Sequence, residues 1–266
     1  MARRLVLGLF LLFVSACGNS PGATRPAAPP PTSAAPWTTP AGALGRCGPQ
    51  PPAVAATRFD YRALSSPAVG KIPAVTAGSG DTVAVLLHQT DGGGLCGWLP
   101  FAGLVAADPG ITVIAVDLCS YGAARCRAAQ GDAAQTRAAS LAIDLAVRTL
   151  HARRVVVVGA SMGGSVALMT AVRDRRVDAV ADLSGPVDWR GMRLVREGRA
   201  LPVPALVSMA EDEDAAQVAG AKAIVANAPQ GSRFLPAAQG HGYELVTQAD
   251  GRPGALFADV LAWIRG

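Results

Sequence analysis

The chain has 266 residues, of which 50% are hydrophobic and 16% charged, so it is long and apolar enough to bury a sizeable core in one main domain. Its net charge of +5 comes almost wholly from arginine, because Lys71 and Lys222 are the only lysines. The arginines are spread along the sequence rather than interleaved with aromatic residues. This pattern disfavours nucleic-acid binding and indicates a solvated basic face.

The N-terminus has the pattern of a secretory signal peptide. Arg3 and Arg4 precede the apolar run Leu5–Val14, which is too short to span a bilayer. The run leads into Ser15-Ala16-Cys17, which resembles the lipobox of bacterial lipoproteins. We therefore predict a signal peptide over residues 1–16, a lipid on Cys17, and anchoring to the outer face of the bacterial cell membrane. Cleavage near Ala16 to give a soluble secreted protein is the alternative.

A segment rich in proline and alanine follows the predicted signal. Residues 17–52 carry few aliphatic side chains, and such a segment buries too little apolar area to offset the entropy lost on ordering. We predict a disordered tether over 17–52 and a folded domain over 53–266.

Four cysteines remain besides Cys17, and an even number in an exported chain favours two disulfides. They are Cys47, Cys96, Cys119 and Cys126. Four cysteines allow three pairings, of which Cys47 with Cys96 and Cys119 with Cys126 is the preferred one. A zinc site is less favoured, because the sequence has no Cys-x-x-Cys and no histidine close to a cysteine pair.

Short apolar runs alternate with helical stretches along the domain, which predicts a mostly parallel sheet with helices on both faces. An antiparallel pair, Thr57–Leu64 with Lys71–Thr76, is expected to open the sheet. The further predicted strands are Thr82–His88, Ile111–Val116, Val155–Val158, Val177–Leu183, Ala205–Met209 and Arg233–Leu235. The predicted helices are Ala133–Ala152, Ser165–Asp174, Ala215–Ala228 and Pro253–Arg265.

The most informative motif is Gly159-Ala160-Ser161-Met162-Gly163, between the strand Val155–Val158 and a helix. A serine on such a sharp turn takes a strained backbone that lifts its hydroxyl above the sheet edge. The Met162 N–H then opens the helix and points at a developing oxyanion. A plain glycine-rich turn is the alternative interpretation.

The order of the motifs resembles the α/β-hydrolase fold, and in particular small dienelactone hydrolase-like serine esterases. The resemblance rests on Leu86-Leu87-His88-Gln89, on Val116-Asp117-Leu118 with Tyr121-Gly122, and on the serine turn. It implies a minimal lid, because the connection from Ser184 to Leu201 is short. It also implies an oxyanion hole shared by the Met162 N–H and a backbone N–H at Gln89 or Thr90, for which we select Thr90. Gln89 replaces the glycine usual in the family.

The same resemblance fixes the chain order nucleophile, acid, histidine. His241 is the one histidine after Ser161, since the other two are His88 and His151. The acid is expected in Glu211-Asp212-Glu213-Asp214, where counting from the end of the preceding strand selects Glu213. Asp212 and Asp214 stay as alternatives, and a carboxylate there can also cap the next helix. Asp117 and His88 are expected to be structural.

The expected function is a carboxylesterase-like serine hydrolase that acts on small or extended esters without a metal or cofactor and works as a monomer. Trp98, Phe101, Trp189 and Met192 could line an apolar acyl site. A catalytically inactive binding lipoprotein with the same fold is the main alternative. A cofactor-free haloperoxidase-like activity shares the triad and is not separable from the sequence.

Overall fold

A computed structural model gives the structure of residues 37–91, 93–127, 131–190, 193–194 and 200–266. The predicted signal peptide, the predicted lipidation site Cys17 and the acyl-site candidate Met192 lie outside these ranges. In the described part of the chain, no helix is long and apolar enough to cross a membrane.

One sheet runs through the described residues, in the order β1-β2-β4-β3-β6-β7-β8-β9, with β5 paired to β2. Its strands are β1 (Asp60–Ser66), β2 (Gly70–Gly78), β3 (Thr82–Leu87), β4 (Ile111–Val116), β5 (Arg125–Cys126), β6 (Arg154–Ala160), β7 (Ala179–Leu183), β8 (Ala205–Ala210) and β9 (Arg233–Ala237). The β1–β2 hairpin and the β2–β4 pairing are antiparallel, whereas β4, β3, β6, β7, β8 and β9 are parallel neighbours. The predicted mostly parallel sheet is confirmed.

Helices cover both faces of the sheet. They are α1 (Pro52–Ala55), α2 (Leu99–Val105), α3 (Asp132–Asp144, continued by a π turn), α4 (Met162–Arg173), α5 (Ala215–Ala226) and α6 (Phe257–Arg265). Residues of α3, α4 and α5 share one apolar cluster, and residues of α2 and α6 share another. The strand β6 lies between them, with Val155 and Val157 in the first cluster and Val156 and Val158 in the second. Burial on both faces explains its unbroken run of valines.

The folded unit begins earlier than the sequence predicts. Leu44 is buried, Arg46 Nη2 lies 2.8 Å from both carboxylate oxygens of Asp117, and Cys47 is bonded to Cys96. Residues 37–52 therefore pack on the domain, and the predicted boundary at residue 52 is too late. Composition suggested disorder because aliphatic residues are scarce there, but a disulfide and an ion pair hold the segment instead. We call residues 37–52 the strap.

Both preferred disulfides are present. Cys47 pairs with Cys96 across 49 residues, and Cys119 pairs with Cys126 across 7 residues. The first joins the strap to the loop after β3. The second lies beside the short strand β5, whose pairing with β2 the sequence did not predict.

Candidate active site

Ser161 stands on a strained turn between β6 and α4, at the carboxyl edge of the parallel strands. Its backbone has φ 50° and ψ −121°, a conformation that non-glycine residues rarely adopt. Glycines permit the turn, because a Cβ on Gly159 would overlap the carbonyl oxygen of Gly163, and one on Gly163 would overlap that of Leu87. The strain and the close approaches are those expected of a nucleophile turn.

The first N–H of α4 is that of Met162, the residue directly after Ser161. Gly164 N donates to Ser161 O at 2.7 Å, whereas Met162 N precedes the first intrahelical bond and has no acceptor inside the helix. The helix dipole adds partial positive charge at this end. Met162 N is therefore available to a negatively charged oxygen near Ser161.

His88, at the end of β3, is a structural residue. Its Nε2 accepts from Leu118 N at 2.8 Å, so Nδ1 carries the proton and donates to Gln89 O at 2.7 Å. Burial lowers the pKa of His88, which keeps the ring neutral in this role. The ring fixes the loop that follows β3 against the loop that follows β4.

The loop after β3 offers one free donor beside one that is engaged. Gln89 N donates to the Tyr243 hydroxyl at 3.0 Å. Thr90 is exposed, and no acceptor for its N–H lies within hydrogen-bond distance among the residues the structure describes. Of the two donors left open by the sequence, Thr90 N is the one that remains free for a ligand.

Glu213 and His241 come together although 28 residues separate them. His241 Nδ1 lies 2.6 Å from Glu213 Oε1, which places the ring proton on Nδ1 and leaves Nε2 free to accept. The side chains are 46% and 27% exposed, so the pair lies at an open surface. Asp214 instead caps α5, accepting from Ala216 N at 2.9 Å and from Gln217 N at 3.2 Å. Among the four consecutive carboxylates, Glu213 is thus the histidine's partner.

The histidine loop packs against the serine turn. Gly242, with φ 58°, approaches so closely that an added Cβ would lie 3.3 Å from Cβ of Ala160, the residue before Ser161. The hydrogen bonds of the described residues do not include one between Ser161 and His241. Contacts of this kind often tighten only when substrate binds. The turn, the ring and the two free N–H groups still share one edge of the sheet.

Two buried aspartates flank this edge. Asp117 accepts from Arg46, from Leu95 N at 2.8 Å and from Ala123 N at 2.8 Å, which agrees with its expected structural role. Asp182 on β7 lies beneath the start of α4, where an added Cβ on Gly164 would overlap its carboxylate. Burial raises the pKa of Asp182 to about 7. Sequence reasoning missed Asp182, because an isolated Asp within a strand carries no motif.

The predicted acyl-site residues are only partly suited to that role. Trp98, which precedes α2, and Phe101, within α2, are fully buried in the core, so they do not line an open pocket. The sequence suggested them because they are large apolar side chains that follow the β3 loop. In the structure their rings pack on each other, with 5.3 Å between the centroids. Trp189 is half-buried on the other face of the sheet. It is the one described member of the set that is not fully buried.

Residues 84–265 match the family described as the alpha/beta hydrolase family. The chain belongs to the alpha/beta hydrolase family. The match begins within β3 and ends within α6, so it spans the parallel sheet, Ser161, Glu213 and His241. Among curated proteins none matches this alpha/beta hydrolase.

Solved structures share the fold. A candidate epoxide hydrolase from Pseudomonas aeruginosa is 17% identical, with a TM-score of 0.58 over 78% of this chain and 95% of that one. An esterase from Pyrococcus furiosus is 11% identical, with a TM-score of 0.59 over 81% and 92%. A thioesterase domain from the curacin biosynthetic pathway is 13% identical, with a TM-score of 0.56 over 78% and 99%. At these identities the likeness establishes the fold, and chemistry must be argued from the site.

Proposed function

We propose that this alpha/beta hydrolase is a serine hydrolase that cleaves small or extended esters through an acyl-enzyme on Ser161. The observation that carries the proposal is the 2.6 Å contact between Glu213 and His241 in a loop that packs against the strained serine turn. In such an arrangement the carboxylate orients the imidazole, and the imidazole can take the proton of the serine hydroxyl and so activate it as a nucleophile. No metal or cofactor is needed for this chemistry, and a monomer suffices.

In the proposed reaction His241 Nε2 takes the proton of Ser161 Oγ as Oγ bonds to the ester carbonyl carbon. The carbonyl π electrons move to oxygen, and the N–H groups of Met162 and Thr90 donate to that oxyanion. The intermediate collapses, the bond to the leaving alkoxide breaks, and the imidazolium protonates the leaving oxygen. Water then attacks the acyl-enzyme by the same route and restores Ser161.

A serine nucleophile supports some of the activities named among the structural neighbours better than others. Attack of a serine hydroxyl on an epoxide carbon would leave an ether, which has no carbonyl for water to attack and would block turnover. Attack on an ester or thioester leaves an acyl-serine, which water can cleave. Ser161 therefore favours acyl transfer, in the manner of an esterase or thioesterase.

The shape of the site favours small or extended substrates of the dienelactone hydrolase-like kind. The segment 184–204, which connects β7 to β8, has too few residues for a separate lid domain, and the Glu213–His241 pair is partly exposed. A long acyl chain needs a deep covered pocket, whereas an open edge admits a short ester or one end of a larger molecule.

Labelling with a fluorophosphonate probe tests the nucleophile. We expect the native protein to be labelled and to hydrolyse a short p-nitrophenyl ester, and Ser161→Ala to do neither. A panel of an oxoester, a thioester and an amide with the same acyl group then gives the preferred bond. Native protein that is neither labelled nor active would leave a catalytically inactive binding protein as the better description.

Matched acid variants test the role of Glu213. We expect Glu213→Gln to lower kcat by about 10⁴-fold, because an amide partner no longer holds the imidazole in the required tautomer. Asp212→Asn and Asp214→Asn are the controls, and Asp214→Asn keeps a side chain that can cap α5. A large loss in Asp212→Asn with none in Glu213→Gln would move the acid to Asp212.

We also propose that the protein is held at the outer face of the cell membrane by a lipid on Cys17. The support is the pattern of residues 1–17, with paired arginines, a short apolar run and a lipobox-like ending. The full chain expressed in a bacterium should partition into the detergent phase, and Cys17→Ala should move it to the aqueous phase. Equal partitioning of the two forms would contradict the anchor.

A further inference from the structure

The loop that carries Thr90 and the loop that carries His241 are joined by two hydrogen bonds between the same two residues. Gln89 N donates to the Tyr243 hydroxyl at 3.0 Å, and Tyr243 N donates to Gln89 Oε1 at 3.4 Å. Gln89 immediately precedes Thr90, and Tyr243 follows His241 by two residues. We call this pair of bonds the Gln89–Tyr243 clasp.

The Tyr243 ring is held firmly enough to act as an anchor. Its centroid lies 4.9 Å from that of Trp98 in an edge-to-face arrangement, and Trp98 is itself fully buried. Gly97 provides the space, because an added Cβ there would overlap the Tyr243 ring. Burial, followed by the nearby charges of Asp91 and Asp117, raises the pKa of Tyr243, so the phenol stays protonated. The hydroxyl is thus a fixed neutral acceptor.

The Gln89 side chain occupies the place that Gly242 leaves open. An added Cβ on Gly242 would overlap Gln89 Oε1, so a glycine at 242 and a glutamine at 89 fit each other. Gly242 also lies against Ala160, beside the nucleophile turn. Gln89 stands where the family usually has glycine. Its side chain is accommodated by Gly242, which lies next to His241.

We propose that Tyr243 and Gln89 are positioning residues that fix the Thr90 N–H for the transition-state oxyanion while holding His241 in register. This inference rests on the proposed acyl-transfer function. The clasp restricts the peptide that carries Gln89 N, and His88 Nδ1 holds Gln89 O at 2.7 Å in the next peptide, which carries Thr90 N. Two successive peptides are therefore fixed, and the N–H of the second is the one offered to substrate. An N–H that is held in place before reaction stabilises charge without reorganising, whereas a loose one must first be oriented.

Tyr243→Phe is the test, because it removes one hydroxyl and keeps the buried ring. We expect kcat for a short p-nitrophenyl ester to fall by about tenfold or more, with KM nearly unchanged, since the clasp acts on the transition state. Tyr61→Phe is the matched control, because Tyr61 is 45% exposed on β1 and away from the site. That variant should keep the native kcat.

A thionoester of the same acid and alcohol separates positioning from a loss of folded protein. Sulfur is a weaker hydrogen-bond acceptor than oxygen, so the ratio of oxoester to thionoester rates reports on the oxyanion donors. Partial unfolding would lower both rates equally and leave the ratio unchanged. We expect Tyr243→Phe to lower the ratio several-fold and Tyr61→Phe to leave it as in the native protein.

The outcomes are distinct. Native activity with a lowered kcat and a lowered ratio in Tyr243→Phe supports the clasp. Native activity with an unchanged ratio in Tyr243→Phe overturns the clasp and leaves the serine hydrolase intact. Native protein that neither labels at Ser161 nor turns over ester overturns the hydrolase, and the positioning role with it.

Discussion

Asp117 and Asp182 are both fully buried, yet their surroundings differ in every respect that matters for charge. Asp117 accepts from the Arg46 guanidinium and from two backbone N–H groups, so both of its oxygens are paired. Asp182 accepts from Gly185 N at 2.7 Å through one oxygen, and its Oδ2 has no hydrogen-bond partner among the residues that the structure describes. Asp182 is thus placed to hold a proton, whereas Asp117 lies between a cation and two amide donors.

The contrast shows that burial alone does not determine the state of a carboxyl group. A cation and several N–H donors stabilise the ionised form, whereas burial with one donor favours the neutral form. The two regions are therefore expected to respond differently to mutation. Loss of the Asp117 carboxylate would destabilise the fold by leaving an arginine nitrogen and two amides unpaired. At Asp182 the destabilising change would be ionisation of the buried carboxyl group.

Asp117→Ala should have the largest effect on stability. It leaves Arg46 Nη2, Leu95 N and Ala123 N without their acceptor, and breaking a pair of this kind costs about 3–5 kcal/mol in the free energy of unfolding. Urea unfolding measures the loss. Arg46→Ala is the companion if Asp117→Ala does not accumulate, since it removes the other half of the pair. Losses below roughly 1 kcal/mol in both would show that the Asp117 region is no more tightly held than a surface pair.

Asp182→Asn tests the other half of the comparison through pH. The folded-state pKa of about 7 lies above the ordinary value of 3.8, so the folded state holds a proton that the unfolded chain has lost. The stability advantage of the protonated form is complete below roughly pH 4 and is lost as pH rises to about 7, at up to about 1.4 kcal/mol per pH unit.

Native protein and Asp182→Asn are to be compared by urea unfolding at several pH values across roughly 4 to 8. The free energy of unfolding of the asparagine variant should lack this dependence on pH, so it should increase relative to that of the native protein as pH rises. Parallel pH profiles for the two proteins would mean that Asp182 ionises normally.

Removing the two disulfides one at a time compares the crosslink of the strap, which lies beside Asp117, with the crosslink of the loop near β5. In the loop-entropy account, closing 49 residues stabilises a protein by about 2 kcal/mol more than closing 7. Cys47→Ser with Cys96→Ser should therefore cost more than Cys119→Ser with Cys126→Ser, measured by thermal unfolding. The reverse ranking would mean that packing of the strap, rather than its crosslink, holds it to the domain.

The smallest effect is expected at an exposed pair of the same chemistry. Arg58 and Asp60 approach to 3.2 Å, but their side chains are 90% and 53% exposed. Arg58→Ala should leave the melting temperature within experimental error, because solvent screens such pairs. A clear loss there would remove the distinction between buried and exposed arginine–carboxylate pairs in this protein.

Strong local patterns predicted most of the fold. The strand over Ile111–Val116 has the same bounds in the structure, and the valine run of β6 differs by one or two residues at each end. These runs are buried on both faces, so their composition reflects their environment directly. The serine turn could also be predicted, because its strained backbone conformation limits which residues can stand there.

Contacts between residues that are distant in sequence could not be predicted from the sequence. Arg46 pairs with Asp117 across 71 residues, and nothing near Arg46 marks it as anything but a tether residue. Tyr243 and Gln89 are 154 residues apart, and their contact depends on Gly97 and Gly242 leaving space. Choosing Glu213 among four carboxylates required family knowledge, because each satisfies the same local pattern.

The strap has a consequence for the order in which the chain assembles. Chains are synthesised from the N-terminus, so Cys47, Cys96 and Asp117 all emerge well before Glu213 and His241. The crosslink and the Arg46 pair can therefore set the loop after β3 while the acid and the histidine are still absent. One wall of the site would be built first, and the groups that make Ser161 reactive would arrive last.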